Sequence, residues 1–389
     1  MKYNVAVVFG GKSVEHEVSI ITGLQLIEQM DPEKYRPIPV YLTKENAFYH
    51  AKAMMEIAYF KKRDLKTIER EAKRVFWLKE DRQVVLCTHW FGFLRKISAI
   101  DLVILAVHGT NCEDGTLAAF FELLDIPYVG SDVLSSSVAQ NKAMTKLVLE
   151  KAGIPVIPYV NFFSDDYDDH REEVILSCER LGYPVIVKPA HLGSSVGVRL
   201  CRNRSELEEG ITQALIYDDQ VLVEKAIEEM REYNCAVLGN RTACEASLVE
   251  EVLKEDDILS YQDKYTRGMK RGSKGMASTR RLIPAPITET LTEAIRNLAE
   301  KTFITIGNSG IARIDFIYDE KNGKLYVNEI NTIPGSFAYY LWDQKKRDFR
   351  RLIDDLIQIA LYNYKRKENR TYTYNTNILS LEGQYNKLK

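Results

Sequence analysis

The sequence predicts a two-part α/β and α+β protein: an N-terminal doubly wound α/β unit, then a second module made of two smaller α+β pieces. Three observations carry this. The runs Val5–Phe9 and Asp101–Val107 each end in a glycine-containing loop, as buried parallel strands of a doubly wound sheet do. Past residue 150 the pattern changes to short strands separated by turns. The length, 389 residues, holds two or three packed units at about 100–200 residues each.

Taken in order, the first strand stops at Gly10-Gly11, and Ile20, Leu24 and Ile27 then recur at helical spacing. Residues 50–90 are charged and carry no firm assignment. The second strand stops at His108-Gly109. A helix spans Asn141–Gly153, with Gly153 as its stop and Pro155 beyond. Strands follow at 184–188, 220–224 and 235–239, and a hairpin at 314–317 and 326–331. Phe349, Leu352, Ile353, Leu356, Ile357 and Ala360 form the apolar stripe of an amphipathic helix with a structural role. The polar tail after Tyr364 should pack loosely. Unit boundaries are expected at 1–137, 138–215 and 216–389, the last including the acidic hairpin and the C-terminal helix. No repeat or low-complexity tract is apparent.

Composition narrows the function. Lys plus Arg total 53 against 55 Asp plus Glu, a net charge of −2, which argues against neutralising nucleic-acid phosphates. The longest apolar run, Leu102–Val107, is far short of the ~20 residues of a membrane span. The N-terminus leads straight into a strand with no cleavable signal. Six scattered cysteines, without a CxxC pair, read as reduced thiols. The expectation is a soluble cytoplasmic protein with neither nucleic acid nor membrane as partner.

The hairpin is the strongest constellation. A two-residue Asn322-Gly323 turn would set Asp315 opposite Ile330; a three-residue loop, with Gly323 left-handed, sets it opposite Glu329 and Arg313 opposite Asn331. In the second register one face shows Arg313, Asp315, Glu329 and Asn331. Such an oxygen-only set suits Mg²⁺ with substrate phosphates. Lys188, at a strand end before the loop Gly193-Ser194-Ser195-Val196-Gly197, can supply a cation and N–H groups to a polyphosphate. Gly11-Lys12-Ser13 is not a P-loop, because Ala6 stands where that pattern needs glycine; the glycine pair instead offers backbone amides at a helix start. Alone, Glu15 reads as a helix-start acid and Lys142 as an exposed helix lysine. His108 reads as a site residue or a satisfied structural histidine, and His191 as a loop histidine with no assigned role.

In order, six segments resemble the D-alanine–D-alanine ligase family of ATP-grasp enzymes from residue 4 to about residue 360. They are FGGKSVEHEVS (9–19), HGTNCEDG (108–115), IPYVGS (126–131), PVIVKP (184–189) with GSSVG (193–197), DKY (263–265), and ARID (312–315) with NEINTIPG (328–335). The resemblance implies a two-part ATP-grasp module and an ATP-dependent ligation of two D-alanines, for peptidoglycan precursors, through an acyl phosphate. It implies ATP contacts from Lys142, Lys188, Lys264, Ser194, Ser195, Lys225 and Ile227, with Glu224 and Glu232 at adenine and ribose. Asp315, Glu329 and Asn331 would hold Mg²⁺ (or Mn²⁺), as two ions. Glu15, with Ser194 and Tyr265, would hold the first ammonium; His108, Arg313 and the Gly335 amide the reacting carboxyl; Ser336 and Tyr340 lie at the second amino acid. A loop over about 260–281 would close over the phosphates, and a homodimer is implied.

The chain departs from that family at several points. Cys112 replaces a glycine and should be packed, not nucleophilic. Ala118-Ala119 replace Gln-Gly, Gln140-Asn141-Lys142 replaces Met-Asp-Lys, and one extra residue lies between Glu224 and Arg231-Glu232. After Gly335 the chain reads Ser336-Phe337-Ala338-Tyr339-Tyr340, with Tyr340 where a serine holds the second substrate's carboxylate. That leaves D-serine, D-lactate or another amino acid as alternative second substrates. A non-catalytic ATP-binding regulator is the remaining alternative, opposed by retention of Glu15, Arg313 and the three acid and amide ligands.

Overall fold

The structure, a computed structural model, describes residues 2–193, 195–253, 280–343 and 347–374. The N-terminal sheet contains β1 (Tyr3–Gly10), β2 (Tyr35–Leu42), β3 (Phe48–His50), β4 (Lys73–Glu80), β5 (Gln83–Trp90), β6 (Phe93–Ile100), β7 (Leu102–Leu105) and β8 (Tyr128–Val129). Its order is β6-β5-β4-β3-β2-β1-β7-β8. β1 lies between β2 and β7, parallel to both, and β8 is parallel to β7. This is the doubly wound portion the apolar runs predict. Helix α1 (His16–Gln29) follows β1 and buries Ile20, Leu24 and Ile27.

Within the unassigned residues 50–90 the sheet gains an antiparallel extension, β3 to β5, completed by β6. β4 buries only Val75 along its length. Its charged side chains therefore mark a half-solvated strand, not a loop.

The second sheet is antiparallel: β9 (Tyr159–Phe163), β10 (Val185–Pro189), β11 (Arg199–Cys201) and β12 (Gln220–Lys225), in the order β11-β10-β12-β9. Val221 and Val223 join Val185, Val187 and residues of the flanking helices, such as Ile175 and Leu207, in one core. Pleating turns Glu224 to the opposite face. Because β12 is held between β10 and β9, the expected boundary at 215/216 is corrected: the change of sheet falls between Lys225 and Met230.

The third sheet holds β13 (Met230–Asn240), β14 (Ala243–Leu253), β15 (Arg280–Leu282), β16 (Gly310–Asp319) and β17 (Lys324–Asn331), ordered β15-β14-β13-β16-β17. Helix α2 (Lys142–Lys151), the one expected over Asn141–Gly153, packs Leu149 into its core, as helix α3 (Glu289–Ile306) does Phe303. Helix α4 (Phe349–Glu368) buries the predicted stripe Phe349, Leu352, Ile353, Leu356, Ile357 and Ala360. That stripe was expected within the C-terminal piece. It packs instead into the core of the N-terminal sheet, together with Leu238 of β13 and Ile311 of β16. At about 1.5–3 kcal/mol per buried large aliphatic side chain, α4 fastens the third sheet to the first.

The hairpin has the site-forming register, Arg313 opposite Asn331 and Asp315 opposite Glu329, but neither turn considered from sequence produces it. Asp319 pairs with Lys324, leaving four residues in the turn, and a bulge after Asp315 shifts the ladder back by one. Gly323 is left-handed, at φ +62°. All six cysteines are free, and Cys112 is packed in the N-terminal core. Among the described residues no helix is long and apolar enough to cross a membrane.

Candidate active site

Side chains from all three sheets line a cleft of about 380 Å³: Glu15 and His108 from the first, Lys188 and Glu224 from the second, Arg313 and Glu329 from the third. On the hairpin, Arg313 grips Asp315 through two N–H donors, each 2.7 Å from a carboxylate oxygen. The Asn331 amide N–H donates to the same carboxylate at 3.0 Å. Burial pushes the Asp315 pKa up to about 6, against the pull of Arg313, and nearby Glu329 adds to the rise. Two acids and an amide thus share one face of the hairpin beside Arg313. Asp315 Oδ1 accepts only one of these bonds and keeps a lone pair, and the Asn331 amide oxygen adds a neutral donor, so the oxygen-only set fits a hard divalent cation.

Opposite stand the lysines. Lys142 opens α2, and its ammonium donates to the Leu192 carbonyl at 2.5 Å. Burial lowers its pKa while Glu329 across the cleft raises it. Lys188 ends 2.5 Å from Glu224, whose other oxygen meets Lys146 at 2.6 Å. Desolvation would raise the Glu224 pKa; Lys146 and Lys188 outweigh it and hold the carboxylate below its ordinary range. Glu224, expected at adenine, here sits between two lysines. Lys225, Ile227, Glu232 and Ser195 also border the cleft, Ser195 with a left-handed φ of +60°.

The N-terminal wall is set by buried polar contacts. Gly10 must be glycine: at φ +103° a Cβ would lie 2.3 Å from the Leu42 carbonyl oxygen. The Gly11 amide, which sequence offered to a ligand, donates to that same carbonyl at 2.7 Å. Glu15 stands at the N-cap position of α1 without a side-chain capping bond, and its amide donates to Ser13 Oγ at 2.9 Å. His108 is buried, Nδ1 lying 2.8 Å from the Ile333 carbonyl and Nε2 2.8 Å from Thr22 Oγ1. A carbonyl only accepts, so Nδ1 carries the proton and Nε2 accepts from Thr22. Burial lowers the His108 pKa and keeps the ring neutral. Thr22 in turn accepts the Ser336 amide at 3.2 Å, and the Ser336 hydroxyl donates to Gln25 at 2.6 Å. The loop carrying Gly335 is therefore pinned to α1. Ser336, expected at the second substrate, spends its polar groups on this anchor.

Tyr340 donates to Glu250 at 3.4 Å, and the Arg281 guanidinium stacks over its ring at 5.1 Å. Arg281 also pairs with Glu250 at 3.1 Å. His191 acquires a role: it hydrogen-bonds Asp218 at 3.0 Å and Asn141 at 2.9 Å, while Gln140 donates to its carbonyl at 2.6 Å. The Gln140-Asn141 departure thus fastens the loop before Gly193. Ser194, Lys264, Tyr265 and the expected closing loop up to residue 279 lie outside the described residues.

Sequence reasoning missed Lys146, Glu113, Glu250 and Thr22. Lys146 shares the buried side of α2 with Ala143 and Leu149, a three-residue spacing that could have marked it. Glu113 accepts the Gly109 amide at 2.9 Å; desolvation first, then Glu15, push its pKa up to about 8.

The comparisons with known proteins agree with the fold. Family models described as D-ala D-ala ligase N-terminus and C-terminus match residues 4–131 and 148–358. The chain belongs to the D-alanine–D-alanine ligase family. It is 38% identical to a D-alanine–D-alanine ligase of Thermosipho africanus, covering 97% of this chain and 99% of that one. It is 36% identical to the same-named protein of Macrococcus caseolyticus, over 95% and 99%. Among solved structures, the D-alanine–D-alanine ligase of Coxiella burnetii superposes with a TM-score of 0.77 at 29% identity, covering 94% of this chain and 96% of that one. The VanG D-Ala:D-Ser ligase of Enterococcus faecalis gives 0.76 at 29%, covering 92% and 100%.

Proposed function

We propose that this chain uses ATP to join two D-alanines into D-alanyl-D-alanine for peptidoglycan precursors. One observation carries the reading: the cleft sets a two-acid hairpin with Arg313 against Lys142 and Lys188, with Glu15 on the third wall. A carboxylate is a poor electrophile and must first be phosphorylated, which gathers negative charge that fixed cations offset. Lys142 and Lys188 hold the phosphates, with Ser195, Lys225, Ile227, Glu224 and Glu232 around the nucleotide. Asp315, Glu329 and Asn331 would hold Mg²⁺, which supplies charge neutralisation at the phosphates when bound.

Glu15 takes the first ammonium. Arg313 and the Gly335 amide donate to the oxyanion formed when the second amine attacks the acyl phosphate. His108, with both ring nitrogens engaged, acts by holding the Gly335 loop against α1. Ser194, Lys264 and Tyr265 complete the family's set by resemblance. The family also supports a cytoplasmic homodimer, and the exposed Trp90, Phe91, Phe93 and Leu94 at the β5–β6 tip offer an apolar contact for a second copy. Sedimentation of the purified chain tests that state.

Tyr340 favours a second reading at one position only. With Arg281 and Glu250 around it, the pocket for the second carboxylate differs from one built on a serine, so D-alanine remains first substrate while the second site has unusual affinity or selectivity. ADP release over a panel of D- and L-amino acid pairs tests both readings. Glu329→Gln should abolish ADP release with D-alanine while Tm stays near normal. Full activity in that variant would remove the hairpin argument.

A further inference from the structure

Lys146 carries a charge that a ligand in the cleft does not reach. Its side chain is 1% exposed, and it is absent from the described cleft lining, whereas its partners Glu224 and Lys188 border that cleft. One buried carboxylate is shared by two ammonium groups: Lys146 takes one oxygen at 2.6 Å and Lys188 the other at 2.5 Å. We propose that Lys146 is a positioning residue, the permanent counter-cation of Glu224, which lets Lys188 leave that carboxylate for a nucleotide phosphate without stranding a buried charge.

The surroundings support the exchange. Groups facing Glu224 come from three elements: Lys142 and Lys146 from α2, Lys188 from β10, and Tyr159 from β9, whose ring centroid lies 5.8 Å from the Lys146 ammonium. Tyr159 in turn faces Glu150, and Glu329 acts on Lys142 and Lys146 from across the cleft. With both lysines in place the triad is net positive, which suits an incoming anion. When Lys188 moves to a phosphate, Lys146 and Glu224 remain as a buried neutral pair. Without Lys146, and with Lys142 also engaged at the phosphates, that movement would leave a buried carboxylate with no adjacent cation, which takes up a proton instead. The inference rests on the reading of Lys188 as a phosphate-binding cation.

Calorimetric titration of the full chain with MgADP, in buffers of different ionisation heat at pH 7 and pH 8, reads both affinity and proton uptake. The wild type should show almost no uptake from this site. Lys146→Met should take up close to one proton and lose affinity as pH rises, by up to about tenfold per pH unit, because binding linked to uptake weakens when protons are scarce. Lys146→Arg should restore wild-type behaviour, and adding Glu224→Gln to Lys146→Met should abolish the uptake. Wild-type binding in Lys146→Met, weaker binding without uptake, or uptake that survives Glu224→Gln overturns the proposal. Should Lys146→Met not fold, Lys146→Arg carries the test: a folded variant that binds MgADP about tenfold more weakly overturns it, since retained charge should suffice. Lys188→Met separates the two readings. Unchanged MgADP affinity there refutes the role of Lys188 itself, whereas weaker binding there with none in Lys146→Met refutes only the role of Lys146.

Discussion

Thr22→Val tests the anchor that holds the Gly335 loop. Valine keeps the shape of threonine and removes one oxygen, so the change is electrostatic and not a cavity. In the folded protein that oxygen, 1% exposed as part of Thr22, donates to His108 Nε2 and accepts the Ser336 amide. Losing it leaves a buried imidazole acceptor and a half-buried amide donor unsatisfied. A stranded buried polar group costs about 1–3 kcal/mol, and the amide, partly wetted, less, so the sum is about 2–4 kcal/mol. At about 2–4 °C per kcal/mol for domains of 150–250 residues, Tm should fall by several degrees. The catalytic consequence is separate. Gly335 lies next to Ser336, and a donor displaced by ~1 Å can cost ~100-fold in rate, so kcat should drop while the ATP KM, set on the lysine wall, holds. Thr22→Ser keeps the hydroxyl and should retain both. Melting curves and steady-state ADP release measure the two effects. Thr22→Val with wild-type Tm and kcat would refute the relay through Thr22, and equal losses in Thr22→Ser would assign the effect to the lost methyl.

Three further outcomes follow from the site. Burial pushes the Glu113 pKa up to about 8 from the ordinary glutamate value of 4.5, so between those values the folded chain keeps a proton that the unfolded chain releases. Stability must fall as pH rises across that window, and Glu113→Gln should flatten the fall in Tm measured from pH 5 to pH 8 without nucleotide; parallel curves would show that Glu113 does not titrate there. Cys112, buried with its thiol pKa pushed up by desolvation, is poorly suited to nucleophilic work. Cys112→Ala should keep most ADP-release activity, and inactivity with normal melting would mean the thiol takes part in the chemistry. Tyr340→Phe keeps the ring under Arg281 but loses the donor to Glu250. It should raise the second-site KM and leave the first-site KM alone; a shift in both, or in neither, assigns the residue to packing.

What the sequence shows of such a site depends on how far apart in the chain the interacting groups lie. Period is local, so the β1 run, the α1 face and the α4 stripe were legible from the residues themselves. Partners are not local. The α4 stripe does not say that it packs on the N-terminal core, and the stagger of charges in β4 hid a strand whose second face is water. The hairpin shows the same limit within one element. Facing residues of Arg313, Asp315, Glu329 and Asn331 follow from strand parity and a pairing register, and the register was right. Yet the turn is one residue longer than the loop that would give it, and a bulge after Asp315 makes up the difference.

The two errors cancel at the site and not in the turn, because that register is the one that gathers the acids beside Arg313 while Ile314, Phe316 and Ile330 enter the core. The Thr22, His108 and Ser336 relay joins residues 86 and 314 positions apart, which no window along the chain can contain. Lys146 lies between these cases. Its spacing from Ala143 and Leu149 is visible, but a lysine on a helix reads as exposed until its partner is known, and Glu224 sits on a strand 78 positions away that the expected boundary at 215/216 places in another unit. A buried charge is thus legible only as a pair, and the pair becomes visible when β12 is placed between β10 and β9.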